Sequence, residues 1–341
     1  MISIIIPAYN AEETIEKAVI SLTRQSYSNI EIVIVDDGST DKTYEKCKKL
    51  QQRDNRIKVI QVTNGGPAEA RNIGIRKSSG EYIGFLDADD YVEQNMYEIL
   101  YAAIRDTGVR VAFCNYYIED FLGNLKENNC EEYVSRQWES KEIHSSIMKA
   151  MLGKRNETSN QKILLGTVWR GLYSKELWNK ENRWFDKEFD FGEDMIWLLE
   201  VLKKENRIVS VEDKLYHYVI NERSLTNGKR GYREEFWLKR KRLNDRIEYV
   251  VQDCIDEKEL EECIDWRYRS NTLESVCTLF EDSSISVKDK DLKKIIDDKR
   301  VEKAFSDYPR LKPLQRYLYY CIKKKKIKGL QFYYKLRSYI K

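Results

Sequence analysis

The stretch that decides the fold of this chain reads Ile30-Glu31-Ile32-Val33-Ile34-Val35-Asp36-Asp37-Gly38-Ser39-Thr40-Asp41. It is a short β-branched run that ends abruptly in acidic and small polar residues. Similar apolar runs occur nearby, at 2–6, 57–62 and 82–86. Helical patterns follow these runs, at 12–25, 41–53, 67–77 and 93–105. Apolar runs without polar alternation are typical of parallel strands buried on both faces, so the repeated order predicts a doubly wound α/β fold.

The rest of the chain divides into a less regular middle and a helical end. Further elements are predicted as strands at 109–116, 166–173 and 214–219 and as a helix at 193–204. Residues 117–165 are polar and irregular, as expected of loops around a substrate. From Tyr232 onward the pattern is helical and strongly charged. We therefore predict a catalytic domain over 1–227 and a helical appendage over 228–341.

Basic residues are concentrated at the end of the chain, although the formal net charge is only +3. From Arg310 onward there are eleven Lys/Arg residues, seven aromatic residues and no acidic residue. Cationic and aromatic side chains together suit the headgroup region of an anionic membrane, so we expect this basic tail (310–341) to bind one. The alternative is a helical face that packs on the protein body. Nucleic acid is not expected as a partner, because no nucleic-acid-binding motif accompanies the charge.

The cysteines and the first residues indicate a cytoplasmic setting. Seven cysteines occur without a Cys-x-x-Cys pair, which fits a reducing compartment better than a disulfide framework. The segment Met1–Pro7 lacks the basic and long apolar parts of a signal peptide. No apolar run of about eighteen residues is present that could span a bilayer. We expect a cytoplasmic protein held peripherally on the inner face of the cell membrane.

Carboxylates must carry the chemistry, because the chain has only two histidines. Two acidic clusters, Asp36–Asp41 and Asp87–Asp90, each follow a predicted strand. Ligands of open α/β sheets bind beyond the carboxyl ends of the strands, so both clusters should face one crevice. Clustered carboxylates repel one another unless a cation is present, and Mg²⁺ or Mn²⁺ binds one or two of them together with phosphate oxygens. The sequence therefore predicts a divalent metal site, while Asp90 is expected to cap the following helix.

A set of ordered segments makes the interpretation more specific. These segments are Ser3–Asn10, Val35–Asp41, Gly66–Asn72, Gly80–Asp90 and Phe191–Asp194, with Val168–Tyr173 ahead of the last. In order and spacing they resemble the hallmarks of family 2 glycosyltransferases, which have the GT-A fold. The resemblance covers about 1–227. It implies a doubly wound mixed sheet with helices on both faces, followed by a helical C-terminal appendage.

The resemblance also implies roles for individual residues. Those implied at the nucleotide sugar are Pro7, Tyr9, Asn10, Asp37, Arg71 and Asp87. Those implied at the metal ion are Asp89, Asp87 and His217. Asp37 would bond the base beside Tyr9. Glu193 and Asp194 would be the catalytic acids, with Asp194 as the general base for the acceptor hydroxyl. Arg71 could instead be a solvated helix residue, and His217 a structural histidine.

The resemblance implies an inverting transferase, and we expect it to move a hexose or N-acetylhexosamine from a nucleotide diphosphate, most readily from UDP. The expected acceptor is a saccharide or lipid-linked oligosaccharide in surface polysaccharide synthesis. Two other hypotheses stay open. A sugar-phosphate nucleotidyltransferase would need a glycine-rich basic loop after the first strand, which Pro7–Glu12 lacks. A non-catalytic membrane-surface binding protein on a transferase fold would have lost acids such as Asp89 or Asp194, and both are present.

Overall fold

The computed structural model describes residues 1–128, 130–153, 162–179, 184–189, 191–220, 236–281, 288–306, 313–326, 328–330 and 332. The chain divides into two compact units. Unit 1 comprises Met1–Ile147 and Leu164–Gly228, and unit 2 comprises Met148–Ile163 and Lys229–Lys341. Met148–Ile163, from the middle of the chain, is therefore in the same unit as the C-terminal region. The predicted division into a catalytic domain and an appendage stays a prediction.

Unit 1 is built on one large sheet. Its strands, in the described part of the chain, are β1 (Ile2–Ala8), β2 (Ile30–Asp36), β3 (Ile57–Gln61), β4 (Tyr82–Phe85), β5 (Tyr91–Val92), β6 (Val111–Asp120), β7 (Leu125–Lys126), β8 (Arg136–Glu139), β9 (Gly171–Ser174) and β10 (Arg207–Ile220). The main path of the sheet runs β3-β2-β1-β4-β9-β6-β10-β5. At its margins β7 pairs with β6, and β8 pairs with β10.

The direction of the strands brings the acidic clusters to one edge. Strands β3, β2, β1 and β4 are parallel. Strand β9 is antiparallel to both β4 and β6, and β10 is parallel to β6. The carboxyl ends of β1 to β4, β6 and β10 therefore meet at the same edge of a mixed sheet. We call this margin the carboxyl edge. The predicted mixed α/β class is confirmed.

The helices complete both units. They are α1 (Ile15–Thr23), α2 (Thr43–Arg53), α3 (Gly66–Lys77), α4 (Met96–Thr107), α5 (Ser140–Glu142), α6 (Lys149–Leu152), α7 (Glu176–Asn179), α8 (Glu193–Leu202), α9 (Phe236–Val251), α10 (Glu257–Glu281), α11 (Lys288–Ile296), α12 (Lys299–Ser306) and α13 (Pro313–Lys323). A π-helical segment, Ile143–Met148, joins α5 to α6. Helix α6 and helices α9 to α13 lie in unit 2.

Two glycines show that helices cover both faces of the sheet. A Cβ atom on Gly74 of α3 would lie 2.4 Å from the Ile5 side chain in β1. A Cβ atom on Gly84 of β4 would lie 2.5 Å from the ring of Tyr97 in α4. Gly84 is in register with Ile4, the neighbour of Ile5, so these two helices contact opposite faces. Each glycine is required by the close approach of its helix to the sheet.

The predicted element boundaries hold best in the first hundred residues, where each observed helix begins within three residues of its expected start. The expectation of irregular loops at 117–165 is wrong, since β6 extends to Asp120 and β7, β8, α5 and α6 follow. The strand predicted at 166–173 begins only at Gly171. The missed strands are short and mostly exposed, and they exist because they pair with the long strands β6 and β10.

Unit 2 is helical, as predicted for the C-terminal region. Helix α10 packs against α9, α11 and α12. The last described helix, α13, buries Leu318, Cys321 and Ile322. No helix among the described residues is both long enough and apolar enough to cross a membrane.

Candidate active site

Asn10 forms hydrogen bonds that connect the loop after β1 to the loop after β2, both at the carboxyl edge. Its side-chain oxygen accepts a hydrogen bond from the Thr40 backbone N–H at 2.8 Å, and its own N–H donates to Ser39 Oγ at 3.0 Å. Its φ of 50° is left-handed, which asparagine tolerates better than most residues. Pro7 lies just before the end of β1. Tyr9 is 50% exposed, so its ring is presented to solvent by a loop that Asn10 holds in shape.

Asp37 holds the start of helix α3. Its two carboxylate oxygens accept hydrogen bonds from the backbone N–H groups of Gly65 and Gly66, at 2.8 and 2.9 Å. Burial raises the pKa of Asp37, and the two N–H groups partly oppose this rise. Each carboxylate oxygen can accept a second hydrogen bond. Asp37 can therefore hold this turn and still accept an N–H group from a bound base.

The aspartates after β4 have different partners. Asp87 forms an ion pair with Arg71, with 3.2 Å between Oδ1 and Nη2. Burial and the neighbouring Asp87 raise the pKa of Asp89 to about 6. Asp89 is thus a half-buried carboxylate that an adjacent negative charge makes costly to ionise.

Tyr216 of β10 fixes the backbone of Asp87–Asp90, which we call the acidic turn. Its hydroxyl donates to Asp90 Oδ2 at 2.6 Å and accepts from the Asp87 N–H at 3.2 Å. The other oxygen of Asp90 accepts from the Val219 N–H at 2.8 Å. The expectation that Asp90 caps α4 is therefore wrong, because that helix begins only at Met96 and the buried Asp90 turns toward β10 instead.

Arg71 joins the acidic turn to the start of helix α8. Its Nη1 lies 2.5 Å from Glu193 Oε1, and both side chains are only 6% exposed. The alternative that Arg71 is a solvated residue is therefore wrong. Because one guanidinium contacts both Asp87 and Glu193, it brings together two motifs separated by more than a hundred residues.

Asp194 lies beside this ion pair in the first turn of α8. Its Oδ1 accepts a hydrogen bond from the Met195 N–H at 2.8 Å. Burial and the charge of Glu193 raise the pKa of Asp194 to about 7, while Arg71 opposes the rise. A carboxylate with such a pKa is suited to accept a proton near neutral pH.

Comparison with known proteins shows the family of the chain. The profile of Glycosyl transferase family 2 matches residues 3–160. Glycosyltransferase GlyG of Streptococcus pneumoniae is 34% identical over 225 residues, which cover 64% of this chain and 70% of GlyG. The chain belongs to glycosyl transferase family 2.

Other relatives share only part of their length with this family 2 chain. The uncharacterized glycosyltransferase EpsJ of Bacillus subtilis is 34% identical over 226 residues, which cover 66% of this chain and 63% of EpsJ. The match to glycosyltransferase GlyA of Streptococcus pneumoniae covers only 31% of that protein. The chain therefore spans less than two thirds of these two relatives.

Solved structures show the GT-A fold. The structure of S. aureus TarS 1–349 in complex with UDP-GlcNAc has a TM-score of 0.67 at 20% identity, covering 98% of this chain and 90% of that one. The mannosyltransferase PcManGT of Pyrobaculum calidifontis, in complex with GDP-Man and Mn²⁺, has a TM-score of 0.53 at 14% identity. It covers 98% of this chain and 86% of that one.

Enzymes of the GT-A fold commonly use a divalent metal ion, and the acidic turn of this family 2 chain fits one. Among the described residues, no three His, Cys, Asp or Glu side chains converge on a metal position. Asp87 and Asp89 supply two carboxylates, which suffice for Mg²⁺ or Mn²⁺ when phosphate oxygens and water complete the shell. Burial raises the pKa of Asp89 most, and the further rise from the charge of Asp87 is the kind a cation relieves.

His217 has other partners. Its Nδ1 lies 2.6 Å from Glu119 and its Nε2 lies 2.8 Å from Glu93. Its ring stacks on Tyr91 at 4.1 Å and on Tyr117 at 4.9 Å. Because both ring nitrogens contact carboxylates, the candidate metal ligands reduce to Asp87 and Asp89.

Two buried residues were not singled out individually in the sequence. Tyr216, which supports the acidic turn, directly precedes His217 in β10. Because successive side chains of a strand point to opposite faces, this order could have shown that Tyr216 faces the side of the sheet opposite His217. Arg170 is fully buried, with its guanidinium 4.7 Å from the Tyr133 ring. Nothing in the local sequence distinguishes Arg170 from an exposed arginine.

Proposed function

We propose that this family 2 glycosyltransferase moves a hexose or N-acetylhexosamine from a UDP-sugar to a hydroxyl group, with inversion at the anomeric carbon. The observation that carries the proposal is the Arg71 bridge between Asp87 and Glu193. This bridge places Asp87, a candidate donor-binding residue, close to Glu193 and so to the neighbouring candidate base, Asp194. The TarS complex supports the choice of donor, because that protein binds UDP-GlcNAc on the same fold.

The nucleotide would lie along the loops after β1 and β2. Tyr9 offers an exposed ring on which a base can stack. Asp37 has free acceptor capacity for a base N–H. Pro7 and Asn10 would shape the floor and the loop of this subsite. Arg71 would orient Asp87 toward the donor, since its own two contacts are already made with acids.

Asp194 would act as the general base. The acceptor hydroxyl attacks the anomeric carbon, the bond to the UDP oxygen breaks, and the hydroxyl proton passes to the Asp194 carboxylate. Glu193 is paired with Arg71 and would not itself take the proton, so it is a positioning residue for Asp194. The raised pKa of Asp194 makes it a better proton acceptor than an ordinary aspartate.

Mg²⁺ or Mn²⁺ held by Asp89 and Asp87 would neutralise the charge that develops on the departing diphosphate. The chain's own part is to keep both carboxylates at the carboxyl edge. Tyr216 does this through the backbone of the turn, and Arg71 through the side chain of Asp87.

A panel of UDP-sugars tests the proposal directly. UDP release, with Mn²⁺ and a saccharide acceptor, should occur for at least one donor and should stop after chelation. Asp89→Ala should abolish release and weaken UDP binding in Mn²⁺, whereas Glu188→Ala, at an exposed position, should leave both unchanged. Activity that survives exhaustive chelation would contradict the metal assignment, and absence of release with every donor would contradict the reaction.

We also propose a lipid-linked saccharide at an anionic membrane surface as the acceptor, destined for a surface polysaccharide. Much of the basic tail lies outside the described residues. In its described part, Lys323–Lys326 are exposed and Tyr320 is 44% exposed beside them. This combination of cations and an aromatic ring supports contact with headgroups.

A further inference from the structure

Two arginines from facing helices of unit 2 are held by a matched pair of asparagines. Arg240 of α9 donates from Nη1 to Asn271 Oδ1 of α10 at 3.1 Å. Arg267 of α10 donates from Nε to Asn244 Oδ1 of α9 at 3.1 Å. In each helix the arginine and the asparagine are four residues apart, so they lie on one face. We call these four residues the arginine cluster.

Hydrogen-bond donors outnumber acceptors in the arginine cluster. The oxygen of Asn244 accepts from both Arg267 and Asn271, the latter at 3.2 Å. This double acceptance fixes which way the Asn244 amide faces. Its Nδ2 then has no hydrogen-bond partner among the described residues, although Asn244 is fully buried. A buried amide donor without a partner is costly, so this place needs an acceptor.

Positive charge is also in excess. Arg240 is paired with Glu274 at 2.6 Å, but within the described ranges Arg267 pairs with no carboxylate. The acids nearest in sequence have other partners, since Asp265 contacts Arg300 and Asp245 accepts from the Tyr268 hydroxyl.

The surroundings of Arg267 make that charge unfavourable. Burial and the neighbouring Arg240 lower the pKa of Arg267 to about 10. Arg267 is only half-buried by its surface, and the Arg240 side chain is 19% exposed, so solvent reaches both arginines of the cluster.

We propose that the arginine cluster is a binding site for a phosphoryl group. Guanidinium groups bind phosphate oxygens through paired N–H donors, and the free Nδ2 group of Asn244 adds another donor. A phosphate would supply both the missing negative charge and the missing acceptors. This site lies wholly in unit 2, so it is independent of the proposed transfer reaction and gives the helical unit a ligand of its own.

Pyrophosphate is the probe, and the full-length protein is first saturated with UDP so that unit 1 is occupied. Calorimetry at constant ionic strength should show pyrophosphate binding. Arg267→Met should weaken it roughly tenfold or more, because a charged hydrogen-bond donor is lost. Arg242→Met is the matched control, since it removes the same charge from an exposed position on α9 and should bind normally. Both variants should keep UDP-release activity.

Hydrogen exchange shows which helices pyrophosphate protects. Pyrophosphate should slow exchange in peptides from 236–251 and 257–281 of the wild type, and not in those of Arg267→Met. A second variant, Arg240→Met, should behave like Arg267→Met, which guards against a folding defect in either one. Equal pyrophosphate affinity of Arg267→Met, Arg242→Met and the wild type would overturn the proposal, as would protection confined to unit 1.

The phosphoryl group could be free or belong to a phospholipid head. Vesicles containing phosphatidic acid form the second arm, with pyrophosphate as the competitor. Binding that is lost in Arg267→Met and displaced by pyrophosphate supports the site with a lipid source. Pyrophosphate binding that depends on Arg267 without vesicle binding supports it with a free source. Independence from Arg267 in both arms rejects it.

Discussion

Arg71 is buried between Asp87 and Glu193, and its pair with Glu193 is shielded from solvent on both sides, whereas the Asp87 side chain is 29% exposed. Removing one member of a buried ion pair typically costs about 3–5 kcal/mol, because the remaining charge is left without a partner. If the proposed mechanism holds, stability and catalysis depend on the same side chain. A change at Arg71 should affect both.

Arg71→Met should lower the free energy of unfolding by about 3 kcal/mol and abolish most UDP release. Arg71→Lys keeps the charge but can contact only one acid well, so it should recover part of the stability and less of the turnover. Urea unfolding and steady-state kinetics measure the two effects. Arg76→Met, at an exposed position in the same helix, should change stability by less than about 0.5 kcal/mol. A stable and active Arg71→Met protein would contradict the bridging role.

Asp194 should impose a pH dependence on turnover. A general base works as the carboxylate, and the pKa of about 7 means that Asp194 is protonated below that pH. The value of kcat/KM should therefore rise with pH and level off above about 7. Asp194→Asn should reduce turnover roughly a hundredfold or more and remove this rise, with donor affinity nearly unchanged. Glu188→Gln should keep the wild-type profile. A normal profile in Asp194→Asn would assign the base to another acid.

At the scale of elements, Glu31 joins the ends of four strands at the margin opposite the carboxyl edge. From β2 it accepts from Ser3 Oγ of β1 at 2.6 Å, from Ser79 just before β4, and from Lys58 of β3. Burial raises the pKa of Glu31, but these hydrogen bonds outweigh burial and lower it to about 2. The folded state therefore favours the ionised form.

This pKa predicts how stability changes with pH. Glu31 ordinarily titrates near 4.5, so its contribution is present above that pH and is lost as the pH falls toward 2. Glu31→Gln should lower the free energy of unfolding by about 2 kcal/mol at pH 7, and the difference from wild type should shrink at pH 3. Urea titrations at both pH values measure it. Glu16→Gln, at an exposed ion pair, should cost less than about 0.5 kcal/mol. A pH-independent loss in Glu31→Gln would show that its charge is not what matters.

At the scale of the whole molecule, the described part of the basic tail contains both buried and exposed residues. Helix α13 buries Leu318, Cys321 and Ile322, so this part of the tail belongs to the core of unit 2. Deleting it would damage the fold as well as any membrane contact. The exposed residues Lys323 and Lys324 can be changed without touching that core.

Reversing charge at these positions tests the membrane proposal. Lys323→Glu with Lys324→Glu should weaken binding to anionic vesicles roughly thirtyfold or more, since each lysine near the surface contributes about 1 kcal/mol. Binding of the wild type should also fall as salt rises. Lys49→Glu with Lys77→Glu, exposed on unit 1, is the matched control and should bind normally. Co-sedimentation measures all three. Equal sedimentation of both double variants would leave the tail a purely structural element.

The sequence by itself determined the parallel half of the sheet and the residues at its edge. Runs such as Ile30–Asp36 are apolar throughout because both of their faces are buried, and the polar residues that follow mark where each strand ends. Asp37, Asp87 and Asp89 could be placed at one edge on this ground alone. These are local properties, which the order of residues states directly.

Only the tertiary structure decided which of these residues touch. Strand β9 enters the sheet antiparallel between β4 and β6, Arg71 meets Glu193 across 122 positions, and His217 turns toward two glutamates. In unit 2, Arg240 and Arg267 come together because two helices face each other at one register. Such contacts depend on strand direction, helix rotation and burial in three dimensions. No local pattern encodes them, because each partner is chosen by how distant segments pack.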